Sequence, residues 1–60
     1  MTLDEARERI GHKVIYRTPG GVLLEEGVIT SVNDHCVFVR YGSQAGSKAT
    51  YPADLTPLAG

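Results

Sequence analysis

Apolar and polar positions change period at residue 11 of the chain. Before it, Leu3, Ala6 and Ile10 recur at i, i+3 and i+7, which is one stripe of a helix. Thr2 and Glu5 have the spacing of a capping box, in which the threonine hydroxyl accepts the third backbone N–H and the glutamate reaches back. Asp4 and Glu5 also suit the positive end of a helix, and Gly11 marks its stop, so a helix is predicted over residues 2–10. So short a helix does not persist alone. Its stripe must dock, and one open end of a β-barrel is the predicted place.

From His12 onward the period is that of strands. KVIYR is β-branched and aromatic, and Thr18-Pro19-Gly20-Gly21 follows as a turn, with proline fixing φ at the second position and glycine accepting positive φ at the third. Val22, Leu23 and Leu24 return to an apolar setting, Glu25 and Glu26 break outward, and Gly27 permits a bend or bulge. Alternation then places Val28, Thr30 and Val32 on one face and Ile29 and Ser31 on the other. Asn33-Asp34 reads as a tight hairpin connection into a strand in which Val37 and Val39 oppose Cys36 and Phe38. Apolar residues on both faces imply strands that bend and serve two sheets, with Phe38 in the core. The segment 42–47 is a small, uncharged hairpin tip; no helix start follows it, so it is not read as a phosphate loop. Lys48-Ala49-Thr50-Tyr51 is a strand, PADL a helical turn that drops Leu55 into the core, and Thr56-Pro57-Leu58 a closing edge strand.

Composition narrows the class. A chain of 60 residues holds one domain, predicted over 1–60, with a modest core and marginal stability. The lone Cys36 excludes an internal disulfide, and one Cys with two His cannot supply a four-ligand zinc site. No apolar run approaches the roughly 20 residues of a membrane span, and no basic and apolar leader opens the sequence, so a soluble cytoplasmic protein without membrane contact is expected. Six Lys and Arg against seven Asp and Glu leave a net charge of −1, without the basic surplus that a strong general grip on nucleic acid requires.

The run CVFVRYG followed by PADLTPL, with GHKVIY leading, resembles Tudor-like and other Src-homology-3-like small barrels over residues 11–58. The resemblance implies a mainly β fold: a single five-stranded Src-homology-3-like (Tudor-type) small barrel over 12–58, with a short N-terminal α-helix and a one-turn helix before the last strand. Tudor readers converge several aromatics on a methylated cation. Here the corresponding strand-end positions hold Arg40 and Ser43, with Tyr16 alone on the first-strand side, so the reader function is not carried over. The stretch Lys48-Ala49-Thr50-Tyr51-Pro52 is also similar to the pore strand of plasmid-type dihydrofolate reductase, a tetramer of small barrels. Only its Tyr-Pro end matches, so folate reduction is not carried over, and what the resemblance leaves is the lesson that a barrel of this size can work as an oligomer.

His12 and His35 have no Ser, Cys or carboxylate at a diagnostic spacing, and the neighbours His35 and Cys36 point to opposite faces of a strand. Cys36 reads as a small buried apolar residue and His35 as a surface residue at the turn exit. A non-enzyme without cofactor or metal is therefore expected. Its first function is protein–protein interaction or self-assembly through a barrel edge and the loops 18–21 and 42–47. The alternative is a nucleic-acid-binding barrel in which Arg17, Arg40 and Lys48 meet phosphate and Tyr16, Tyr41 or Tyr51 stacks on bases. A barrel this short suits an accessory protein of a phage or other mobile element.

Overall fold

The structure, a computed structural model, describes residues 1–18, 20–21, 24–43 and 45–58. It holds an α-helix α1 (Leu3–Glu8) and strands β1 (Lys13–Arg17), β2 (Leu24–Val32), β3 (Val37–Tyr41) and β4 (Lys48–Thr50). A 3-10 turn (Pro52–Asp54) then leads into β5 (Leu55–Pro57). The strands form one five-stranded antiparallel sheet in the order β4-β3-β2-β1-β5. Extents of 27 × 24 × 24 Å mean that this sheet curls around its core, since a flat one would be far thinner than wide. The expected closed barrel is not formed among the described residues: β4 and β5 remain the two edges of an open sheet. Among the described residues no helix is long and apolar enough to cross a membrane.

The inner face carries Val14, Ile29, Val37, Val39, Tyr41 and Leu55, which with Ala6 of α1 form the buried core. Each fully buried Val, Ile or Leu contributes about 1.5–3 kcal/mol, and there are few of them. Helix α1 completes the core from one side. Thr2 caps it as the sequence predicts, its hydroxyl accepting the Glu5 N–H at 3.1 Å while the Glu5 carboxylate accepts the Thr2 N–H at 3.4 Å. Ala6 is completely buried, and Met1 and Leu3 pack against the core. The Met1 ammonium donates to the carbonyls of Pro52 at 3.0 Å and Leu55 at 3.2 Å, which joins the start of α1 to the 3-10 turn. Arg7 bonds Asp34 at 3.3 Å and the Asn33 carbonyl at 3.4 Å, which joins its end to the β2–β3 loop. These last contacts are exposed and worth little individually.

Several boundaries differ from the sequence expectation for local reasons. The helix stops at Glu8 rather than at residue 10, because Gly11, at φ +89°, already turns the chain into the sheet and donates to the Ile29 carbonyl at 2.8 Å. Ile10, expected on the docking stripe, is consequently exposed. The β2–β3 connection is four residues rather than two: the Asn33 side-chain carbonyl accepts the N–H groups of His35 at 2.8 Å and Cys36 at 2.7 Å, holding both outside the strand. The bulge falls at Thr30, not Gly27, and it resets the alternation so that Ile29 and Val32 both face the core. The Thr30 hydroxyl lies 2.6 Å from Ser47 Oγ and donates to the Phe38 carbonyl at 3.1 Å. Phe38, expected in the core, is half-buried on the outer face, and Cys36 is half-buried rather than buried. Leu55 does enter the core, as the first residue of β5, one position earlier than the predicted closing strand. The turn at 18–21 closes by a Gly21 N–H bond to the Thr18 carbonyl at 2.8 Å with Gly20 at φ +94°; Pro19, Val22 and Leu23 lie outside the described residues.

Gly27 has a different role from the bend predicted for it. It sits buried in the middle of β2 opposite Val14 on one side and Tyr41 on the other. A Cβ there would stand 2.5 Å from Val39 Cγ1, 2.8 Å from Tyr41 Cδ1 and 3.0 Å from the Arg40 carbonyl oxygen. The side chains of β3 therefore lie directly on β2 backbone. Alanine at an unstrained site would stabilise the chain by about 0.4–1 kcal/mol. Gly27→Ala should instead lower stability by about 1–3 kcal/mol through overpacking, read as a lower urea midpoint; an equal or higher midpoint would show that Val39 and Tyr41 are free to move away.

Candidate binding surface

Alternation assigns the expected binding residues to different places. Tyr16 and Tyr41 project to the inner face from β1 and β3 and meet edge to face, with ring centroids 6.0 Å apart and planes at 64°. Tyr41 is 4% exposed, and its hydroxyl lies 3.0 Å from Thr50 Oγ1, which itself donates to the Lys48 carbonyl at 3.4 Å. Burial pushes the Tyr41 phenol above its usual pKa of 10.0; the Thr50 bond opposes the rise, and the Glu25, Tyr16 and Asp54 charges add to it. Tyr41 is a packed strut, and its ring has no free face on which a base could stack. Tyr51, by contrast, is 72% exposed at the start of the 3-10 turn.

The cations are also dispersed. Arg17 and Arg40 lie on the outer face of β1 and β3, separated by β2, whereas Lys48 shares the inward parity of Thr50 but is exposed at the β4 edge. Among the described residues no carboxylate lies within 4.0 Å of any of the three. Arg17 instead borders a cleft of about 350 Å³ between Thr18, Gly20 and Gly21 on one wall and Ala53, Asp54 and Thr56 on the other. Its charges are mixed. Among the described residues no group of three His, Cys, Asp or Glu is placed to hold a metal ion.

Register creates a second surface on the outer face. Val28 stands between Lys13 of β1 and Arg40 of β3, Ile15 stands between Glu26 and Thr56, and Phe38 between Ser31 and Ala49. Ile15, Val28 and Phe38 thus form a half-buried diagonal stripe across three strands. Lys13 Nζ pairs with Glu26 Oε1 at 3.6 Å, and the register runs this pair across the stripe between Ile15 and Val28. A shallow cleft of about 390 Å³ opens there between Lys13, Glu26, Val28, Arg40 and Gly42, where the missing Gly42 side chain leaves open space. Lys13, Glu26 and Val28 were not among the residues singled out from sequence, because nothing in their spacing reveals which strand lies beside which.

The raised Tyr41 phenol has a measurable consequence. The unfolded tyrosine ionises near pH 10.0 and the folded one later, so the stabilisation by its neutral form is complete below that pH. It is lost as pH rises through the folded value. Tyr41→Phe should cost about 1 kcal/mol at neutral pH and flatten the alkaline decline of the urea midpoint; an unchanged alkaline limb would assign the decline to other groups. In comparisons with known proteins, no protein-family model matches this chain, and neither a curated protein nor a solved structure does.

Proposed function

We propose that this chain is a small non-catalytic binding module of the Src-homology-3-like, Tudor-type barrel class, and that it works by protein–protein contact, self-association foremost. The order β4-β3-β2-β1-β5, with a 3-10 turn leading into the last strand, supports the class. The observation that carries the function is the surface left over by so small a core. Two sheet edges stay open, and Leu24, Tyr51, Ile10 and Leu58 are exposed at 58%, 72%, 48% and 39%. Association buries such apolar groups and reinforces a marginal domain in one step. Sedimentation velocity at micromolar and higher concentrations should give a mass above 6.5 kDa. A monomer throughout would overturn self-association.

Nucleic-acid binding is the second reading, favoured by Arg17, Arg40 and Lys48 having no carboxylate within 4.0 Å among the described residues. It predicts saturable amide shifts near these residues on titration with short single- and double-stranded oligonucleotides. Arg40→Ala and Lys48→Ala should then each reduce the salt slope by about 1. A flat titration at low salt removes this reading.

A further inference from the structure

We propose that the free edge of β4 is a twofold interface: two copies of this chain pair their β4 strands antiparallel, with Ala49 on the symmetry axis, and join their sheets into one. The proposal rests on the self-association reading and names its surface. In an antiparallel sheet the N–H and C=O of one residue point to the same side, and successive residues alternate. Phe38 turns its carbonyl towards β2, where the Thr30 hydroxyl donates to it at 3.1 Å. Val37 and Val39 therefore turn towards β4 and bond their partners Thr50 and Lys48, which leaves Ala49, opposite Phe38, facing away from the sheet. Nothing among the described residues bonds the Ala49 N–H or C=O. Alternation gives the N–H of Tyr51 the same outward sense, since that residue is still extended at φ −71° and ψ 134°.

The other edge is blocked. Leu58 donates to the Lys13 carbonyl at 3.2 Å, so Lys13 and Ile15 face β5, Thr56 faces back, and Leu55 and Pro57 turn outward. Leu55 donates its N–H to the Pro52 carbonyl and accepts the Met1 ammonium at 3.2 Å, while Pro57 has no N–H to offer. Proline and engaged backbone groups keep a sheet edge from pairing, and Ala49 has neither. The register fits a second copy of the same strand. Directly opposite residues share a face of the sheet, so a twofold axis passes at Lys48, Ala49 or Thr50. An axis at Lys48 sets two ammonium groups opposite each other, which is destabilising. An axis at Thr50 aims the Ala49 N–H at the Tyr51 carbonyl, which already accepts the Asp54 N–H at 3.0 Å. At Ala49 both conflicts vanish: the two Ala49 residues exchange N–H and C=O bonds, each Tyr51 N–H reaches the Ser47 carbonyl of the copy, and Lys48 lies opposite Thr50. The Tyr51 ring, 72% exposed, then falls diagonally over the Ala49 methyl of the copy, within reach of an aromatic side chain. Each partner supplies the open groups that the other needs.

The paired edge is short, so the dimer is weak and depends on concentration. Amide hydrogen exchange on the wild-type chain reads the axis directly. The Lys48 and Thr50 amides, bonded to β3, should be protected at every concentration, whereas the Ala49 amide should gain about tenfold protection or more between micromolar and millimolar protein. Sedimentation equilibrium over the same range should move from 6.5 kDa towards twice that mass. Ala49→Pro removes an N–H that makes no bond to β3, so circular dichroism should stay native while the dissociation constant rises about tenfold or more. A wild type that stays monomeric to millimolar concentration overturns both this interface and the self-association reading. A dimer whose Ala49 amide stays unprotected, or whose mass is indifferent to a folded Ala49→Pro, overturns the interface alone.

Discussion

The absence of a side chain at Gly27 sets how closely β3 can lie over the middle of β2. Val39 and Tyr41 occupy the volume that a Cβ at Gly27 would need, and the buried Tyr41 ring spans from there to Thr50 on β4 and to Tyr16 on β1. One strut therefore links three strands across the inner face. Because interiors are close-packed, a displacement at this point would propagate to most of the core. The close approach of Val39 and Tyr41 to the β2 backbone and the burial of Tyr41 go together at this point.

The rest of the core is assembled around that strut with very little material. Ala6 from α1 and Leu55 from β5 close the inner face from two sides, and the bonds from the Met1 ammonium hold these two elements together. The bulge at Thr30 has the matching role at the hairpin end. By adding one residue to β2 it keeps Ile29 and Val32 on the inner face, where strict alternation would have turned one of them outward. A domain this small buries a limited share of its chain. Residues left half-covered on the outer face are the counterpart of that limit.

The inner face is filled and its aromatics are engaged with one another, while Lys13, Arg17 and Arg40 lie on the outer face and Lys48 at the β4 edge. The outer face is where the register assembles an apolar stripe, crossed between Ile15 and Val28 by the Lys13–Glu26 pair. Near-neutral net charge agrees with a partner that is not a polyanion.

The sequence by itself determined the local units: the capped helix start at Thr2 and Glu5, the turn at Gly20, the β1 strand, the PAD turn, and Leu55 as core. All of these depend on side-chain chemistry within a few residues, which is why spacing alone revealed them. Of the candidate binding residues named from the sequence, Arg17, Arg40, Lys48 and Tyr51 are exposed. Only the tertiary structure decided that Tyr41 is buried, that Phe38 faces outward, that the bulge sits at Thr30 and that the sheet stays open. Only it set Lys13 beside Glu26 and Val28 between two cations. Each of these is a relation between strands, fixed by register and by the volume left at Gly27, and such relations leave no period along the chain.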